Sequence, residues 1–274
     1  MSKKIALIVE YKGSSYKGWQ SQKGRVLTIQ DCLEKALSII ANHPISVVCA
    51  GRTDSGVHAC YQVVHFESNS KRELKAWVLG VNSNLPEDIA VIDAKEVQDD
   101  FHARFSALSR RYRYVIYSTR IRSAIMSKEL TWTHKKLDVE LMSRAAECFR
   151  GTHDFTSFRA VGCQAHSPVR TILNFDVYKA GAYIVLDVRA NAFLHHMIRN
   201  FAGVLISIGA SERSVEWAKE VLGAKDRTVA GVTAPPDGLY FVHAEYPKKY
   251  GLPHVPMGPH FLPIHKEKHY DTSS

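Results

Sequence analysis

Between Phe101 and Lys128 the chain has no acidic residue, yet Arg104, Arg110, Arg111, Arg113, Arg120 and Arg122 all fall inside that span. These arginines have no acidic partner within the stretch, which predicts a local basic field. Other absences narrow the chemistry. No Cys-x-x-Cys pair and no His-Glu-x-x-His occurs, so the common zinc patterns are missing. No Gly-x-x-x-x-Gly-Lys and no Gly-x-Gly-x-x-Gly occurs either, which argues against ATP and dinucleotides. The five cysteines are odd in number and scattered, and read as reduced thiols rather than a disulfide framework. No run is long enough to cross a bilayer, and the apolar stretch before Glu10, Ile5 to Val9, is too short for a signal peptide. The cytoplasm is the expected compartment.

What is present belongs to a globular chain: 274 residues, 45% hydrophobic and 23% charged, enough for two domains or one extended α/β unit. Lys plus Arg outnumber Asp plus Glu by 36 to 27, a net charge of +9 that suits a polyanionic partner.

Ile5 to Tyr11 reads as a buried strand. Thr28 caps a helix whose Ile29, Leu33, Ala36, Leu37 and Ile40 share one face, and Pro44 ends it. Ile45 to Cys49 begins a second strand, CYQVVHFES returns as a third, KRELKAWVLGVNSNLP makes a short helix ending near Gly80, and IAVIDAKEV makes another strand. These form a domain over residues 1–104. A second, over 105–247, opens with the strand RRYRYVIYS and a helix over 138–150, capped by Asp138 and closed by Gly151. Strands near 171–178 and 182–190 follow, then a long apolar helix over 192–209, an amphipathic helix and the strand GLYFVHAEY. Helices and strands recur in similar order in both halves, suggesting a weak duplication. Residues 248–274 are a proline-rich tail whose last ten residues are expected to be disordered.

Three groups are candidates for chemistry. In CAGRTDSGVHA, Asp54 sits between two strands, where loops on a rigid scaffold display reactive side chains. Thr-Asp-Ser-Gly is equally good turn chemistry, so a structural aspartate stays open. In RRYRY, Arg111 and Arg113 point to one side of a strand and Tyr112 and Tyr114 to the other. Either a solvated basic face or contact with RNA or DNA fits them; guanidinium groups bind phosphates and rings stack on unpaired bases. In FLHHMIRN, His195 and Arg199 are four apart on one helical face, and a buried Arg199 asks for a carboxylate such as Asp54. His195 and His196 would point about 100° apart on a helix, poor geometry for chelating one metal, so no metal is expected.

GRTDSGVHA, DFHARFSA from Asp100, RRYRY from Arg110, DFTSFRA from Asp154, NAFLHHMIRN from Asn191 and VPMGP near the end together resemble bacterial tRNA pseudouridine synthases of the TruA family, over about residues 3–262. The resemblance implies a mixed α/β fold of two similar domains, with antiparallel or mixed sheets flanked by helices that meet at a central basic cleft. It implies a homodimer that isomerises uridine to pseudouridine at positions 38–40 of the tRNA anticodon stem-loop, with no cofactor, no metal and no membrane. It makes Asp54 the nucleophile, with Arg52 displacing the target base, Tyr112 stacking on the flipped uracil, Arg199 in a salt bridge to Asp54, and Leu239 packing on the base. Ser55, where that family often has Ala, and the tail beyond Lys266 depart from the pattern. A non-catalytic RNA-binding protein and, more weakly, a metal-dependent nuclease using Asp54 and the histidines are the rival readings.

Overall fold

The computed structural model describes residues 2–24, 26–253 and 257–263. The expected disorder of the last ten residues lies outside them.

Ten strands join in one sheet among the described residues. Its order runs β4 (Ile89–Glu96), β1 (Lys3–Tyr11), β3 (His58–Ser68), β10 (Leu239–Glu245), β5 (Ser109–Ser118), β9 (Tyr183–Ala190), β8 (Val169–Ala180), β7 (Gly151–Asp154). The two-residue β2 (Val48–Cys49) lies beside β3, and β6 (Thr131–Thr133) beside β5. Pairing is antiparallel except for β10 on β3 and β6 on β5. The triplets β4-β1-β3 and β10-β5-β9 share one arrangement, each with its earliest strand in the middle. Within the sheet the two halves of the chain meet through β10, where Phe241 lies opposite Ala59 of β3 and Tyr112 of β5.

Among the described residues, four α-helices cover one face: α1 (Ile29–Ala41), α2 (Val139–Ala146), α3 (Met197–Gly209) and α4 (Trp217–Ala224). The Thr28 hydroxyl accepts from Asp31 N, and the Asp138 carboxylate from Glu140 N and Leu141 N, so both expected N-caps form. Asn42 rather than Pro44 ends α1, in a left-handed C-cap that turns the chain before the proline is reached. The apolar run read as one helix over 192–209 is helical only from Met197, because His196 adopts φ 61° and breaks the spiral.

Alternation along β5 sends Tyr112, Tyr114 and Ile116 into the core under the helices, and Val115 into a smaller cluster on the opposite face with Tyr240 and Val242. Met257, Phe261 and Leu262 pack on that second cluster, where Arg113 Nη1 donates to Gly258 O at 2.8 Å. All five cysteines are free thiols, and burial pushes those of Cys49 and Cys60 up to about 12. No helix among the described residues is long and apolar enough to cross a membrane.

Candidate active site

Asp54 stands on the loop that joins β2 to β3, and that loop is clamped from four sides. The Gln62 amide, fully buried in β3, donates to Gly51 O at 2.7 Å and accepts from Gly51 N at 3.4 Å. The Tyr11 hydroxyl lies 2.8 Å from Thr53 Oγ1, and Gln62 Nε2 donates to that same phenol. Trp19 N donates to Thr53 O at 3.0 Å, and Ser55 Oγ to Tyr16 O at 3.1 Å. Gly18 passes so close that a Cβ there would sit 2.8 Å from Thr53 O, and its φ of +89° suits glycine alone. Val57 N donates to Asp54 O, and Gly56 takes φ +81°. The turn expected of Thr-Asp-Ser-Gly is therefore present, closed through the Asp54 carbonyl rather than its carboxylate.

That carboxylate faces three side chains from the start of α3. His195 Nε2 lies 3.3 Å from Oδ1; His196 Nε2 and Arg199 Nη1 lie 3.5 and 3.7 Å from Oδ2. Asp54 is 24% exposed and Arg199 15%, so the group sits at a rim rather than in bulk water. Arg199 is held in place: its Nε donates to Ala234 O at 2.8 Å while Ala234 N donates back to its carbonyl. Burial holds His196 below the ordinary imidazole value, with Asp54 pulling the other way and His195 and Arg199 adding to the depression. The left-handed turn at His196 explains how two neighbours share one target. On a helix their rings would diverge; here the ring centroids are 4.0 Å apart. The geometric ground on which a metal was discounted therefore does not hold, since one donor atom from each of Asp54, His195 and His196 falls within 4.8 Å of the others.

Tyr112 is 8% exposed, with Phe193 and Phe241 edge-on to its ring at 5.1 and 4.9 Å. Its hydroxyl reaches toward Gly51, and burial, with Tyr11 and Asp54 next in weight, raises it far above the ordinary phenol value. Leu239 is buried two residues from Phe241 on the same side of β10, opposite Tyr114. Arg52, two residues before Asp54 in the same loop, is exposed.

The basic strand is a correction. Arg111 grips Asp187 with Nε and Nη2 at 2.6 and 2.8 Å, and Arg113 adds Nε at 2.9 Å. Asp187 is 2% exposed, so both guanidiniums are committed to a buried acid on the sheet face away from Tyr112. Arg110 shares the parity of Tyr112 and is likewise committed: it donates to Ala50 O, Ala107 O and Asn191 O, and also to Arg104 O. Sequence reasoning missed this, along with the clamp made by Tyr11, Gly18, Trp19 and Gln62. One signal was there to read: Gln62 is polar between the apolar Tyr61 and Val63 in the middle of the strand.

A family profile described as tRNA pseudouridine synthase matches residues 7–106 and 145–247. The chain is 58% identical over 259 residues to tRNA pseudouridine synthase A of Pseudomonas aeruginosa, covering 94% of this chain and 91% of that one. It is 56% identical over 259 residues to the Escherichia coli protein of the same name, covering 94% and 96%. Among solved structures, the archaeal box H/ACA sRNP Nop10-Cbf5 complex aligns over 86% of this chain and 57% of that one, at 10% identity and TM-score 0.34.

Proposed function

The chain belongs to the tRNA pseudouridine synthases, isomerases of uridine in tRNA, and we propose that Asp54 is the nucleophile of that reaction at positions 38–40 of the anticodon stem-loop. The observation that carries this reading is the convergence of Arg199, His195 and His196 on a carboxylate whose loop is clamped by buried hydrogen bonds. Such a loop costs little reorganisation when the reaction begins.

Isomerisation breaks the N1–C1′ bond, turns the uracil and rejoins it through C5, with the C5 proton lost, a proton gained at N1, and no other group or electron supplied from outside. Attack of the carboxylate at C1′, its addition at C6, and proton removal at C2′ all begin from one Asp54 oxygen beside an unstacked nucleoside. A base in a stem must be extruded first, at a cost of a few kcal/mol that stacking of about 1–3 kcal/mol partly offsets. Arg52, exposed two residues before Asp54, is the residue we assign to displacing the base, Tyr112 the ring that receives it, and Leu239 the apolar wall. The phenol of Tyr112 holds its proton tightly, so it serves as a stacking surface and hydrogen-bond donor rather than as a base. A homodimer acting in the cytoplasm, with residues 1–104 and 105–247 as its two domains, completes the proposal.

Incubation with unmodified tRNA transcript, followed by pseudouridine mapping, tests it. Wild-type protein is expected to place pseudouridine within 38–40, and Asp54→Asn to place none while binding the transcript within about twofold. Conversion by Asp54→Asn at the wild-type rate overturns the assignment.

A further inference from the structure

We propose that Asp54, His195 and His196 form a binding site for one divalent transition-metal ion of the zinc type, and that the bound ion silences the carboxylate. Around tetrahedral zinc, with bonds of about 2.0–2.1 Å, neighbouring donor atoms stand roughly 3.3–3.4 Å apart. Here His195 Nε2 lies 3.3 Å from Oδ1 and His196 Nε2 lies 3.5 Å from Oδ2, and one donor atom from each of the three residues falls within 4.8 Å of the others. Rotation of the carboxylate and the two rings, which side chains 24%, 44% and 29% exposed are free to make, brings both nitrogens toward one oxygen. Two nitrogens and one carboxylate oxygen suit zinc, cobalt or nickel; magnesium and calcium prefer oxygen alone.

The arrangement is built rather than accidental, because it requires the left-handed backbone of His196, which a helical continuation of α3 would abolish. Where an Nε2 bears a proton, binding sends that proton to Nδ1 or to solvent; no electron moves. Arg199, at 3.7 Å from Oδ2, opposes the added charge and keeps the ion exchangeable. Binding stands on this geometry alone. Silencing rests on the role assigned to Asp54 above, since an oxygen that coordinates a cation cannot attack a nucleoside.

The test uses the full chain without RNA, titrated with Co²⁺ and followed by visible absorption, with Zn²⁺ as competitor. The wild type and the variants Asp54→Asn, His195→Asn and His196→Asn are compared, each first matched for circular dichroism and Tm. The wild type is expected to show one four-coordinate cobalt spectrum that Zn²⁺ abolishes, and each variant to bind at least about tenfold more weakly. Equal cobalt binding by the wild type and all three variants, or none by the wild type, overturns the site. In a second arm, Zn²⁺ is expected to stop pseudouridine formation, chelator to restore it, and Mg²⁺ to do neither; a cobalt-binding enzyme that Zn²⁺ leaves active overturns the silencing. Conversion by Asp54→Asn would sink the catalytic assignment while leaving the cobalt result standing.

Discussion

The guanidinium of Arg110 closes on the carbonyl of Ala50 from two of its nitrogens, Nε at 3.3 Å and Nη2 at 3.1 Å. Through its other nitrogen it holds Asn191, four residues before His195. One side chain thus ties the strand leading into Asp54 to the segment leading into His195 and Arg199.

Arg110→Met keeps the stem and removes these bonds. The two segments should drift, and kcat should fall about 10- to 100-fold with KM for tRNA nearly unchanged, since displacements near 1 Å have costs of that order. Stability should drop by about 2–3 kcal/mol from the orphaned carbonyls. Steady-state kinetics and urea unfolding measure both; a raised KM with intact kcat would mean that Arg110 contacts phosphate instead.

Tyr11→Phe leaves Thr53 Oγ1 and the Gln62 amide short of a buried partner. A loss of about 1–3 kcal/mol is expected, together with a slower single-turnover rate and unaltered tRNA affinity. Gln62→Leu should act in the same direction and more strongly, because the amide also holds Gly51. Rates equal to wild type in both variants would show that the clamp does not position Asp54.

Asp187→Asn strips the charge from an acid that two arginines share. Breaking a buried pair from one side costs about 3–5 kcal/mol, enough to lower Tm by many degrees. Filter binding to tRNA at a temperature where the variant stays folded should be unchanged, as Arg111 and Arg113 serve the protein rather than the nucleic acid. A weakened affinity there would restore these two residues to the RNA interface.

Two buried histidines set a pH response. Burial, followed by His102 and Lys4, depresses His65 to about 4, and its Nδ1 accepts from Ala103 N. Burial also depresses His58, whose Nδ1 accepts from Gly13 N. The folded state therefore takes up these protons later than the unfolded chain does. Their contribution to stability is complete above the unfolded imidazole value near 6.5 and is lost as pH falls below it, for His65 down to about 4. Urea midpoints at pH 7.5 and 5.0 should show a smaller decline for His65→Gln than for wild type, since glutamine keeps the acceptor and cannot titrate. Identical declines would contradict the assignment to His65.

Period-two and period-3.6 patterns were enough to place the principal strands and the caps of α1 and α2, because those depend on local spacing and on one side chain reaching one backbone amide. The Asp54 loop and the approach of Arg199 were legible for a related reason: an arginine in an apolar helix demands an acid. What could not be read was set by distant parts of the chain. Asp187 is 74 residues from Arg113, and nothing in RRYRY announces that its arginines are already spoken for. The start of α3 was misplaced because histidine carries no local mark of a left-handed backbone. Ala50, Gly51 and Ala234 act through backbone atoms, which composition does not reveal.

The place of β10 in the sheet has a consequence for biosynthesis. It follows all nine other strands in the sequence, yet it is the piece that joins β3 to β5. A nascent polypeptide emerging from the ribosome would carry Asp54 and Tyr112 beside strands that lack their shared neighbour until residue 245 had cleared the exit. The sheet that carries both residues would be complete only when that final ribbon slid home.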